Sequence, residues 1–121
     1  MKRGARILYV DDDDKSCQLF LAIANRHLQG VEVETATSAE ECLKLASEKD
    51  YDLVLVDLVM PNISGFELAE KLKTQHSDLP IVAVSTSPLT TKPEEFHERF
   101  VDYLLKPFSV EEVVGKIKKH L

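Results

Sequence analysis

Cysteine is scarce in this chain: Cys17 and Cys42 are the two in 121 residues. They have neither CxxC spacing nor histidines in a ligand pattern, which argues against zinc. Both fall in helix-like segments, where a buried free thiol in a reducing compartment is the ordinary reading. Long apolar runs are missing as well. None approaches the roughly 20 residues of a membrane helix, and the basic N-terminus (Lys2, Arg3, Arg6) leads into no apolar stretch of signal-peptide length. No membrane partner is expected, and the cytoplasm is the default location. Positive charge is in deficit, with 15 Lys and Arg against 21 Asp and Glu and a net charge of −6. A nucleic-acid surface needs clustered Lys and Arg to meet phosphate, so direct nucleic-acid binding is not expected. There is no repeat, no low-complexity tract and no interdomain linker. With 44% hydrophobic and 30% charged residues the chain is globular rather than disordered. Its length suits one domain, 1–121, burying roughly two-thirds of its unfolded surface.

What is present is a fivefold alternation of strand-like and helix-like segments. Strands are expected at 6–10, 31–36, 53–57, 80–84 and 102–105, and helices near 14–28, 38–49, 64–75, 92–100 and 109–120. The third and fourth strands are continuously apolar, as when helices cover both faces of a sheet. Ser38…Glu41, Ser64…Glu67 and Ser109…Glu112 each read as a capping box, the hydroxyl capping an N–H and the Glu reaching back. Val110, Val113, Val114, Ile117 and Leu121 predict one apolar stripe on the last helix. Gly30 stands where a left-handed cap of the first helix is wanted. Lys116, Lys118, Lys119 and His120 read as a solvated, dipole-complementing helix end. The fourth helix is the irregular one: Pro88 and Pro93 flank a hydroxyl-rich stretch, leaving Glu94 to Phe100 as helix.

Alternating units of this kind imply a parallel sheet with right-handed crossovers, whose carboxyl ends share one ligand-binding edge. Acids crowd those ends. Ile7-Leu8-Tyr9-Val10 runs into Asp11-Asp12-Asp13-Asp14, Leu53-Val54-Leu55-Val56 into Asp57, and Leu104-Leu105 into Lys106-Pro107. A strand order 2-1-3-4-5 brings Asp11 and Asp12 beside Asp57, and it is chosen because the acids then converge. Three close carboxylates raise one another's pKa values unless a divalent cation joins them. Oxygen ligands with room for water and phosphate suit Mg2+. Asp57 is then the nucleophile for a phosphoryl group, with a hydroxyl from Ser85 and the Lys106 ammonium to meet its oxygens. Thr86 is a rival to Ser85. Asp13 and Asp14 read as helix-start acids.

Val10-Asp11-Asp12, Val56-Asp57-Leu58-Val59-Met60-Pro61 with Gly65, Val84-Ser85-Thr86 and Tyr103-Leu104-Leu105-Lys106-Pro107-Phe108 together resemble the receiver domain of bacterial response regulators, from about residue 5 to 121. The resemblance implies a flavodoxin-like, doubly wound α/β sheet and a two-component phosphoacceptor, not an enzyme beyond its own phosphorylation and slow dephosphorylation. It further implies that Asp57 takes a phosphoryl group from a histidine kinase or histidine phosphotransfer protein, and that Asp11, Asp12, Asp57 and the Val59 carbonyl hold Mg2+. Lys106 would pair with the phosphoaspartate through a cis Lys106-Pro107 corner. Ser85 and Tyr103 would act as switch residues, although a tyrosine on a strand also serves for packing. The switched surface would lie around the fourth helix, fifth strand and fifth helix. The output partner is open, a monomer or weak homodimer is expected, and the chain is either a stand-alone receiver or part of a longer regulator or hybrid kinase.

Three departures from the pattern matter. Phe100-Val101 stands where the family usually has Gly-Ala, the fourth helix is truncated, and Val59 cannot orient a hydrolytic water, nor can Ser87-Pro88 do much. Competing readings are a receiver-like interaction module that does not use phosphate, an aspartate-nucleophile phosphatase, and a flavin binder. The phosphatase lacks a second acid at Val59, and the flavin binder lacks a Gly-rich loop after the first strand.

Overall fold

The computed structural model describes residues 4–86 and 93–121. Strands and helices alternate without exception along it: β1 (Ala5–Val10), α1 (Asp14–His27), β2 (Val31–Ala36), α2 (Ala39–Glu48), β3 (Leu53–Asp57), α3 (Gly65–Gln75), β4 (Ile81–Ser85), α4 (Pro93–Arg99), β5 (Asp102–Leu105) and α5 (Val110–His120). The five strands form one parallel sheet in the order β2-β1-β3-β4-β5, a flavodoxin-like arrangement and the order that the acidic strand ends required. β4 begins one residue later than expected. Pro80 has no N–H for the ladder, although its carbonyl accepts from the Val54 N–H at 3.1 Å.

Period-two alternation sorts the strand residues to two faces. Leu8, Val10, Val54, Val56 and Ala83 meet Leu68 and Leu72 of α3 and the Phe96 and Phe100 rings. Ile7, Tyr9, Leu53, Leu55, Val82 and Val84 meet Phe20 of α1 and Val113 and Ile117 of α5. Every residue of β3 and of β4 is buried, including the terminal Asp57 and Ser85. Cys17 and Cys42 are buried free thiols.

The helix starts depart from expectation in detail. Ser38, Ser64 and Ser109 all accept the predicted N–H, from Glu41, Glu67 and Glu112. The full reciprocal box forms at Ser109 alone among the described residues. Glu41 reaches one residue further, accepting from the Thr37 N–H at 2.8 Å. Asp13 caps α1, accepting from the Lys15 N–H and the Ser16 hydroxyl, as a helix-start acid should.

Two further readings are corrected. Gly30 does not cap α1, which closes on an extended Leu28 donating to Ala24. Gly30 instead takes φ 76° in the turn to β2, and its carbonyl accepts from the Gly4 N–H. On α5, Val113 and Ile117 are buried as expected, but Val110 is exposed, because it opens the helix ahead of the turn that meets the sheet.

α4 runs from Pro93 rather than Glu94, since a first-turn proline has no N–H that the helix needs. Phe100, in the place of the family's small pair, is buried and lies edge-on to Phe66 at 5.2 Å and tilted on Phe96 at 5.2 Å. The bulk that the sequence put there thus pins α4 to α3. The readings of Ser87 and Pro88, and of Lys2 and Arg3, lie outside the described residues.

Candidate functional site

β1 and β3 pair in register, Val10 opposite Val56, so the residues that follow each strand emerge side by side at the carboxyl edge. Carboxylate oxygens of Asp11, Asp12 and Asp57 all lie within 4.8 Å of one another. Asp11 and Asp57 are buried, whereas Asp12 is exposed at the rim. From the next pair of strands, Ser85 ends β4 opposite Leu105, and the Lys106 N–H donates to the Ser85 carbonyl at 2.7 Å. The Lys106-Pro107 bond is cis. The Lys106 ammonium stands 2.7 Å from Asp11 Oδ2 and 3.4 Å from Asp57 Oδ2.

The electrostatics of this edge are unbalanced: among the described residues, three carboxylates face one ammonium. Burial pushes the Asp57 carboxyl up to about 6; the Val59 N–H donated to its Oδ1 works against this, Asp11 works with it, and Lys106 opposes it. Burial alone would lower the Lys106 pKa, but the hydrogen bond to Asp11 and the charge of Asp57 hold it above its usual value. Asp11 accepts from the Asp13 N–H, from Lys106 and from the Tyr9 hydroxyl. The donor set is therefore hard oxygen with a charge deficit, which fits a divalent cation such as Mg2+ rather than a soft metal.

The loop after β3 is built to hold Asp57 in place. A Cβ added to Gly65 would lie 2.5 Å from the Asp57 carbonyl oxygen and 2.6 Å from Leu58 Cα. Only glycine lets α3 begin so close to the strand, and the Gly65 N–H closes the turn on the Leu58 carbonyl at 3.0 Å. Asn62 turns this loop with φ 73°. Val59, two residues past Asp57, points away from the core and is 77% exposed. Two grooves flank the acids. One, of about 420 Å3, is lined by Ser16, Leu19, Thr86, Lys106, Pro107 and Phe108. The other, of about 450 Å3, borders Asp12 and includes Leu43, Met60 and Ile63.

The structure thus gathers Asp11, Asp12, Asp57 and Lys106 at one point, with Ser85 buried at the end of the neighbouring strand and Thr86 exposed just beyond it. Tyr103 stands apart on β5, 43% exposed, with its ring edge-on to Phe96 at 6.5 Å and the Lys116 ammonium 5.1 Å above it.

Two features escaped sequence reading. The basic end of α5 is not simply solvated: Lys116 and His120 close on Asp102 at 2.7 and 2.9 Å, and Lys119 stands at 3.7 Å. Burial opposes ionisation of Asp102, yet Lys116, His120 and the Tyr103 N–H hold its carboxyl at about 2. Separations of 14 and 18 residues carry no local periodic signal. Tyr9, read only as part of an apolar run, proves to be a buried donor to Asp11. Its signal was there, since a tyrosine in a fully buried strand needs a polar partner and an acid lies two residues on, toward the same face.

A parallel five-stranded sheet with an acid triad and a lysine at its carboxyl edge has the build of a flavodoxin-like signalling domain. The response regulator receiver domain profile matches residues 7–118, and this chain belongs to that family, a component of two-component signalling. It is 34% identical over 113 residues to the transcriptional regulatory protein SrrA of Staphylococcus aureus, covering 93% of this chain and 46% of that protein. The chain therefore spans about half the length of the curated relatives it matches. Among solved structures, the chemotaxis protein CheY4 of Vibrio cholerae superposes with a TM-score of 0.88 at 28% identity over 97% of this chain and 98% of the other. The response regulator TrrA of Thermotoga maritima, in complex with Mg2+ and a beryllium fluoride, superposes with a TM-score of 0.85 at 32% identity over 97% of this chain and 99% of the other. No helix among the described residues is long and apolar enough to cross a membrane.

Proposed function

We propose that this chain is a phosphoacceptor whose Asp57 takes a phosphoryl group from a phosphohistidine on a histidine kinase or histidine phosphotransfer protein. The observation that carries this reading is the convergence of Asp11, Asp12 and Asp57 with the Lys106 ammonium. Asp11, Asp12, Asp57 and the Val59 carbonyl would hold Mg2+, which supplies charge neutralisation between the acids and the incoming phosphoryl oxygens. An ionised Asp57 oxygen attacks phosphorus as the P–N bond breaks, and the electron pair returns to the imidazole nitrogen. Lys106, already 3.4 Å from Asp57, follows the new phosphoryl group as a mobile point charge. The Ser85 hydroxyl donates to a phosphoryl oxygen from the end of β4. Tyr103 then turns inward, and the face of α4, β5 and α5 changes its partners.

The donor's imidazole must approach along the groove between α1 and the Lys106-Pro107 corner. Exposed Leu19 there, with Pro107 lining the same groove, offers an apolar seat beside the acids. The module works as monomer or weak homodimer within the whole of residues 1–121.

Acetyl phosphate with Mg2+ should add one phosphoryl group, read as a mass increase, to the unaltered chain and none to Asp57→Asn. An unmodified wild type would leave a receiver-like interaction module as the function. Label retained on Asp57→Asn would overturn the site assignment.

A further inference from the structure

Tyr9 is a buried residue at the acidic edge that the proposed chemistry does not use, and its surroundings are specific. Its side chain is fully buried in β1. Its ring stacks on Phe20 of α1, centroids 4.4 Å apart and 15° from parallel, and lies edge-on to Phe108 at 6.2 Å. Phe20 and Phe108 also meet edge-on at 6.3 Å. Three rings from β1, α1 and the turn after Lys106-Pro107 thus fix one another, and with them the phenol oxygen. That oxygen donates to Asp11 Oδ2 at 2.9 Å.

The lone pairs of Asp11 can be counted. Oδ2 accepts from both Tyr9 and Lys106, at 2.9 and 2.7 Å, and Oδ1 accepts from the Asp13 N–H at 2.9 Å. One acceptor position remains on Oδ1. When Lys106 is drawn toward Asp57, Oδ2 keeps Tyr9 as its side-chain donor. A carboxylate that has lost a donor is freer to rotate, and rotation away from the cation's position competes with metal binding.

We infer that Tyr9 is a positioning residue: its hydroxyl, held by Phe20 and Phe108, fixes the Asp11 carboxylate in the orientation that a divalent cation requires and keeps it there when Lys106 moves. The inference rests on the proposed Mg2+-dependent function of the same site. Hydrogen-bond partners behind a metal ligand typically govern about 10- to 100-fold in affinity. A single phenol hydroxyl beside two other donors belongs at the low end.

The test is a 1H–15N NMR titration of the unphosphorylated protein with Mg2+, comparing wild type, Tyr9→Phe and Ile117→Val. Ile117 lies in the same core cluster as Tyr9 but touches no acid of the site, so it reports the effect of lost packing. Tyr9→Phe should keep a dispersed, wild-type-like spectrum, and its Kd for Mg2+ should rise about tenfold, beyond any change that accompanies the loss of stability in Ile117→Val. Ile117→Val should lower the melting temperature and leave Kd within about twofold of wild type, since conservative core truncation acts on stability. An unchanged Kd in Tyr9→Phe would overturn the inference and leave the function standing, as would a weakening in both variants that follows their loss of stability. If wild type itself shows no Mg2+-dependent shifts around Asp12 and Asp57, the functional reading fails and this inference with it.

Discussion

Asp57 has acids on one side, a lysine on the other and a bare aliphatic side chain at the open mouth of the site. Under the proposed function the last of these, Val59, would set how long a phosphoryl group persists. A water attacking the phosphoryl group needs a polar atom to orient it, and an exposed valine offers none. Val59→Asn supplies an amide at that position and should hasten dephosphorylation roughly tenfold, about 1.4 kcal/mol off the barrier. The decay of the phosphorylated protein in Mg2+ buffer measures this, and equal rates would remove Val59 from the account. At this scale the sequence was most legible where chemistry demanded it. Acids ending apolar strands are costly unless partnered, so Asp11, Asp12, Asp57 and Lys106 announced themselves. Tyr9 was fainter: a hydroxyl inside a hydrophobic run signals a polar partner only through the acid two residues on.

Among the elements, α5 is fastened at both ends. Its start is closed by the Ser109–Glu112 box and its end by the grip of Lys116 and His120 on Asp102. Hydrogen bonds to a charged acceptor contribute about 1.5–3 kcal/mol, so Asp102→Asn should destabilise the fold by roughly 2 kcal/mol at neutral pH. The sign of the pH dependence follows from an acid whose folded pKa, about 2, lies below its usual 3.8. Its contribution is complete above the usual value and is lost as pH falls toward 2. Urea unfolding of wild type and variant should therefore diverge at pH 7 and converge below pH 4; a constant gap would mean that the charge is not what matters. Element positions were readable from periodicity and serine caps, whereas this clamp joins groups brought together only by the return of α5 along β5. The same limit hid the role of Phe100, whose size reads as a departure from pattern until Phe66 and Phe96 are seen around it.

The molecule as a whole was legible because alternation dictates a parallel sheet and a parallel sheet gathers strand ends. That geometry sets a cost. Asp57, with a folded pKa of about 6 against an ordinary 3.8, contributes stability that is fully present below the ordinary value and is lost as pH rises through 6. Above that pH, in the absence of divalent metal, the ionised cluster works against folding. Asp57→Asn should melt several degrees higher than wild type at pH 7.5, since about 1 kcal/mol moves a domain of this size by a few degrees, and the difference should shrink by pH 5. Mg2+ should raise the wild-type melting temperature at pH 7.5 by mass action and do less for the variant. Parallel pH profiles in scanning calorimetry would count against a site under electrostatic load.

The double anchoring of α5 has one more implication. A beam fixed at both supports bends little, so α5 is a steady rail beside β5. Under the proposed function, a phosphorylation signal crossing this face would be carried by what lies alongside that rail. The ring of Tyr103, half-exposed under Lys116 and against Phe96, is the group that would then move.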